Sequence, residues 1–224
     1  MPPFVWMFVG LLITSLVIVP ANPAGAQAPP TDLRSFITAA HAHGLPYAQA
    51  HAYGPAAVPE LVAMLSDPSL EPHWTKVVAA LGCIEDASAV QPLMDFMKRY
   101  QGPVSADILR AVLSVLPAIG QIAYRGDPTA LGIITDFADP GAYQKYGIGF
   151  AYGRYRGATL VEVMGPMDIM ALGVSGRPEA LALLKKMLDD PAFRQDWRPN
   201  VTEAIEVNGK MSTLGPEKVF GAGL

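Results

Sequence analysis

Apolar residues recur along this chain at helical spacing in four similar segments. Ala57, Val58, Leu61 and Met64 form the first set, and Ala89, Val90, Leu93 and Phe96 repeat it. The pattern returns as Ala130, Leu131, Ile134 and Phe137, and again as Ala180, Leu181, Leu184 and Met187. Positions 1, 2, 5 and 8 of each set fall on one stripe of a 3.6-residue helix, so each segment is predicted to be an amphipathic helix. Successive copies start 32, 41 and 50 residues apart. A constant unit with inserts of varying length predicts a helical array, whose periods run from about 20 to 50 residues.

Polar breaks recur with the stripe. Asp67-Pro68, Asp139-Pro140 and Asp190-Pro191 each close a copy, and Gly102-Pro103 closes the second. Proline lacks an amide hydrogen and disfavours a helical residue before it, so the first helix of each pair should stop there. The aspartate can then accept from the free amides that follow. A second helix comes next, clearest at Lys76 to Leu81 and expected to end at Gly82. Ala171-Leu172-Gly173 repeats Ala80-Leu81-Gly82. The unit is therefore helix, tight turn, helix. In the second unit the second helix should run long, over 104–124, with a kink at Pro117. Thr31 and Asp32 open an earlier helix, and 44–54 supplies the second helix of a partial terminal repeat.

The Ala-Leu-Gly ending, the acidic turn and the following Ala-Val-x-Pro-Leu resemble HEAT repeats, most closely the short HEAT-like repeats also found in phycobilisome lyases. The resemblance covers about Gly44 to Met211. It implies an all-α fold, an α-α superhelix (armadillo/HEAT-like solenoid) of about four helical pairs plus an N-terminal cap. The family also tends to carry a basic residue early in the second helix. Lys76 and Arg110 can fill that place, whereas Met167 and Glu203 stand there in the later copies. The resemblance implies a binding architecture and no particular reaction.

The ends read differently. The first 26 residues hold no Asp, Glu, Lys or Arg, and Phe4 to Val19 is an apolar run of 16 residues. Pro20, Asn22 and Pro23 break the run before Ala24-Gly25-Ala26. A short apolar core followed by a small-x-small triplet predicts a signal peptide over 1–26, cleaved after Ala26. The rival reading is an uncleaved anchor, although 16 residues fall short of the roughly 20 a spanning helix needs. The expected organisation is then a linker at 27–30, a repeat domain over 31–211 and a frayed Gly-rich tail over 212–224. Export to a periplasmic or secreted location follows from the first segment.

Composition adds limits. A net charge of −4 with no basic cluster argues against nucleic acid as a partner. Apolar residues make up 51% and charged residues 16%, which suits helices sharing one continuous core. Cys83 is the one cysteine, so no internal disulfide is possible and packing must supply the stability. Beside an apolar helix end it reads as a small buried residue; the sharper alternative is a nucleophile or an intermolecular bridge. His41, His43 and His51 crowd one turn and invite a metal reading. Yet a spacing of two turns His41 and His43 to different sides of a helix, and no Cys or HExxH completes a zinc set. Neither a metal nor a cofactor is expected.

One insert stands out. Residues 141–157, GAYQKYGIGFAYGRYRG, carry five glycines, half of the eight tyrosines and three basic residues. Glycine frees the backbone while tyrosine offers rigid contact area with a polar tip, a mixture suited to contact loops. The candidate partner-binding residues are Tyr143, Tyr146, Phe150, Tyr152, Arg154, Tyr155 and Arg156. The opposing reading buries these aromatics against their own repeat. Gly147, Gly149 and Gly153 miss the dinucleotide spacing and follow no strand, so a nucleotide loop is rejected.

No GxSxG elbow, P-loop or HExxH is present, and Glu162 and Asp168 lie six apart, on different parts of their helix. Two functions remain open. The first is a non-enzymatic protein-binding scaffold of the cell envelope, holding another protein or peptide on its concave face and the insert. The second is a lyase-like or cofactor-attachment factor, implied by the phycobilisome-lyase resemblance but at odds with export.

Overall fold

The computed structural model describes residues 32–41 and 44–221. The expected signal segment, the linker and His43 lie outside the described residues. Among those described, every element is a helix and none is a strand, so the chain is all-α.

The four stripes become α3 (Val58–Met64), α5 (Val90–Lys98), α8 (Pro128–Asp136) and α11 (Pro178–Asp189). Their stripe positions point inward: Leu61, Leu93, Ile134 and Leu184 are all fully buried. Three of the four first helices, α3, α8 and α11, are followed by an Asp that accepts from the amide two residues on. Ser69 donates to Asp67 at 3.0 Å, Gly141 to Asp139 at 2.8 Å and Ala192 to Asp190 at 2.8 Å. The recurring Asp-Pro thus builds a recurring turn, because a short carboxylate reaches its own downstream backbone.

Before the first unit come α1 (Leu33–Thr38) and α2 (Tyr47–Ala52). The second helices are α4 (Trp74–Ile84), the pair α6 (Ala106–Leu113) and α7 (Val115–Tyr124), α10 (Val161–Val174) and α12 (Arg198–Leu214). The long helix of the second unit breaks at Ser114, one turn before Pro117, where the missing amide and the ring's bulk fall. Consecutive second helices pack on each other: α2 on α4, α4 on α7, α7 on α10 and α10 on α12. First helices pack on this series, α3 on α4, α5 on α7, α8 on α7 and α10, α11 on α10 and α12. Two helical stretches, 106–124 and 157–174, are apolar and long enough to cross a membrane, but 56% of each is buried inside the fold. Neighbours on both flanks account for that apolarity.

Two expectations need correction. Gly82 does not end its helix. The helix continues to Ile84 and closes on Glu85, which adopts the left-handed conformation at φ 58°. Gly82 instead sits where α7 comes closest, and a Cβ there would lie 2.8 Å from Ala118 Cα. The same contact recurs along the series. A Cβ on Gly120 would lie 2.4 Å from the Ala171 carbonyl oxygen, and one on Gly173 would lie 2.9 Å from that of Ala204. Ala118-Ile119-Gly120 is thus a further copy of Ala-Leu-Gly, and each copy's Gly meets an Ala of the next second helix.

The second correction concerns the tail. Ser212–Leu214 completes α12, and Pro216–Phe220 forms a further helix, α13. Helix α13 packs on α12 and on α2, with Phe220 and Tyr47 ring centres 6.0 Å apart. The described residues of this segment, 212–221, thus link the last unit to α2.

Candidate functional site

The insert divides into two halves. In the first, α9 (Ala142–Lys145) folds back on the end of α8. Lys145 Nζ reaches Asp136 at 2.5 Å and Tyr146 donates its hydroxyl to the same carboxylate at 2.7 Å. Phe137 lies between two tyrosines, edge-on to Tyr143 at 5.3 Å and stacked on Tyr146 at 5.0 Å. Tyr143 and Phe150 are buried, and Tyr146 is half-buried. Burial, with help from Asp136, pushes the Tyr146 phenol up to about 12. Tyr143 and Phe150 are therefore placed in the core of the third unit rather than on its surface. Glycine spacing hid this, because a flexible-looking segment can still carry large rings into a core.

The second half reaches outward. Ala151 pairs with the 102–104 segment, donating to Gly102 at 2.7 Å and accepting from Val104 at 2.9 Å. Beyond it, Tyr152 and Tyr155 exchange backbone bonds of 2.9 and 3.0 Å across a tight turn. Gly153 takes a φ of 56° there, open to glycine without strain. Tyr152 is 37% exposed and, with Leu214, one of two large apolar side chains exposed among the described residues. Arg154 and Arg156 are exposed, and the Arg154 guanidinium lies 5.1 Å over the Tyr155 ring and 3.8 Å from Glu162. Four of the seven candidates, Tyr152, Arg154, Tyr155 and Arg156, thus share one pinned, outward turn.

Two buried polar groups were invisible to sequence spacing. Tyr143 donates its hydroxyl to Asp168 Oδ2, joining the insert to α10. Asp168 is 4% exposed and its Oδ1 has no partner. Burial holds its carboxyl well above the usual range, only partly offset by the Tyr143 bond. Burial, then the adjacent carboxyl, also raises the Tyr143 phenol. Below the carboxyl range of the unfolded chain, near 3.8, folded and unfolded forms both carry the Asp168 proton. Above it the unfolded chain loses that proton first, so stability falls as pH rises through the raised folded value. Asp168→Asn keeps an acceptor for Tyr143 and removes this titration. The variant is expected to gain stability relative to wild type between pH 4 and pH 8, read as the difference in melting temperature. Parallel curves would contradict the assignment.

The other group is Glu85, whose side chain is wholly buried. Tyr47 donates to it at 2.7 Å and Arg125 Nε at 2.5 Å. Beside it, His51 Nδ1 donates to the Cys83 carbonyl at 2.7 Å, and its Nε2 lies 3.5 Å from Arg125. His41 Nε2 donates to the Phe36 carbonyl at 2.9 Å. Both described histidines of the cluster are therefore tied to different backbone carbonyls. No group of three or more His, Cys, Asp or Glu suited to a metal occurs among the described residues. Cys83 is buried, and burial pushes its thiol up to about 12, which leaves no thiolate for attack at neutral pH.

No protein-family model, no curated protein and no solved structure matches this chain.

Proposed function

We propose that this chain is a HEAT-like array that holds a polypeptide partner, with the turn 152–156 as its principal contact. The packing order supports the array reading: each second helix rests on the next, and each first helix rests on that series. Stacking of each unit on the next is what a solenoid would show; the return of α13 to α2 is a departure from that simple order. The array's function lies in what it presents to a partner.

The observation that carries the reading is the turn itself. It presents Tyr152, Arg154 and Arg156 to solvent on a backbone already fixed by four hydrogen bonds. A pre-ordered aromatic and guanidinium pair loses little freedom on binding, and Tyr and Arg are the side chains that most often dominate interfaces. The two arginines favour a partner that offers carboxylates.

The test compares the full chain with a Tyr152→Ala/Arg156→Ala variant as bait. Helicity should be unchanged, and a polypeptide retained by wild type should bind the variant roughly 30-fold more weakly, as loss of an interface hot spot would give. Equal retention by both baits would contradict the reading. We also propose that the protein acts after export, on the strength of the apolar run 4–19 and the Ala24-Gly25-Ala26 triplet. A mature N-terminus at Gln27, read by mass spectrometry, is the expected result.

A further inference from the structure

The 152–156 turn is one end of a longer seam between the second and third units. The chain leaving α5 runs beside the insert in the same direction, with Pro103 against Ala151. Gln101 donates to the Gly147 carbonyl at 2.9 Å, and the Ala151 backbone is bonded to both Gly102 and Val104. At the far end of the seam Lys98 and Lys145 converge on one ring, their ammonium groups 5.7 and 5.3 Å from the centre of Tyr146. Gln101, Pro103 and Gly147 are exposed between the two ends.

The charges along this seam do not balance. Asp136 pairs with Lys145 at 2.5 Å and Glu162 lies 3.8 Å from Arg154, while Lys98 and Arg156 form no ion pair among the described residues. Each end therefore keeps one cation without a counter-charge, and at the Tyr146 end it stands beside a second cation, which repels it. This basic excess sits on a chain whose net charge is −4. A local field opposite in sign to the whole molecule's selects a partner of that whole molecule's own sign. Strand addition does not supply the recognition. The residue facing outward from the paired segments is Pro103, which has no amide hydrogen to offer. Side chains must do it.

We infer that the seam holds an extended acidic peptide, one carboxylate cluster meeting Lys98 and Lys145 and another meeting Arg154 and Arg156. The inference rests on the reading of 152–156 as a docking turn and adds a second anchor to it. The chain from Tyr146 to Tyr152 bridges at most about 20 Å, so the two clusters should stand roughly five residues apart in the bound peptide. Arginine can take a carboxylate with two parallel bonds, whereas lysine meets it as a point charge. The turn end should therefore be the more selective of the two.

The experiment titrates the full chain, at low salt, into a fluorescent peptide with two glutamates at each end of a short Gly-Ser spacer, and follows anisotropy. The same peptide with glutamines, a single-stranded DNA oligonucleotide and phosphatidylglycerol vesicles are the comparisons. The acidic peptide should bind saturably and about tenfold more tightly than its glutamine counterpart, the sum of several exposed ion pairs. Lys98→Gln and Arg156→Gln should each weaken it about threefold, and together about tenfold, because separated sites add. Lys210→Gln, exposed on α12, should change nothing. The inference is overturned by no binding of the acidic peptide, by equal binding of the glutamine peptide, or by tighter binding of DNA or vesicles. Sensitivity to Arg156→Gln without sensitivity to Lys98→Gln would remove the second anchor and spare the docking turn. A bait experiment that separates wild type from the Tyr152→Ala/Arg156→Ala variant, alongside an acidic peptide that does not bind, would likewise sink this inference alone.

Discussion

Gly120→Val is expected to lower the melting temperature by roughly 6–12 °C, from a stability loss of about 3 kcal/mol in a chain of this size. Two helices set the cost. Gly120 is on α7, and the atoms a side chain would strike belong to α10: the Ala171 carbonyl oxygen at 2.4 Å and Val174 Cγ2 at 2.8 Å. The first is backbone and cannot rotate away, so α7 and α10 must separate. Separation exposes Ile119, Ile122, Ile169 and Leu172, all now buried. Gly132 is the control. It is also helical, on α8, but a Cβ there meets nothing within 4 Å. Gly132→Ala should therefore raise stability by about 0.5–1 kcal/mol through reduced backbone freedom in the unfolded chain. Thermal melts of both variants check the pair. A neutral Gly120→Val would mean that the two helices do not approach as described.

Glu85→Ala has the second largest expected effect, a loss of about 3–4 kcal/mol. The buried carboxylate takes a bond from Tyr47 on α2 and another from Arg125 after α7, so it joins three consecutive second helices. Removing it leaves the Tyr47 hydroxyl buried without an acceptor, while the half-exposed Arg125 regains water. Alanine would also keep the left-handed backbone at φ 58°, which disfavours any Cβ. Glu85→Gly relieves that strain and should recover about 1–2 kcal/mol of the loss. Glycine is the usual residue at this place after a helix. That glutamate stands here instead indicates that its two bonds outweigh the backbone cost. Denaturant melts of the two variants separate the terms; a glycine variant more stable than wild type would show that the carboxylate contributes little.

Much of the fold was legible because the first helices are striped. Leu61, Leu93, Ile134 and Leu184 announce one buried column, and the Asp-Pro pairs announce its end. The second helices were harder. They are buried on several sides, so their apolar positions wrap around and lose periodicity; α10 places Val163, Met164, Ile169, Ala171 and Leu172 in the core together. Gly82 was misread because a glycine that ends a helix and a glycine that admits a neighbouring helix look alike in sequence. Ala118-Ile119-Gly120 was overlooked because Pro117, just before it, dominates the local signal. Of the candidate contact residues, Tyr152, Arg154, Tyr155 and Arg156 stand on the outward turn, whereas Tyr143 and Phe150 went inside. No local rule distinguishes them: all are aromatic or basic residues among glycines. The Tyr143–Asp168 and Tyr47–Glu85 pairs span 25 and 38 residues, and spacing along the chain says nothing about such partners.

The stacking of second helices through Gly–Ala contacts is the feature on which the rest depends. Proton NOE measurements at three glycines read it directly. Gly82 Hα should show contacts to the Ala118 methyl, Gly120 Hα to a Val174 methyl and Gly173 Hα to the Ala204 methyl. Glycine signals with contacts only inside their own helices would contradict the stack, and with it the array proposed to present the 152–156 turn.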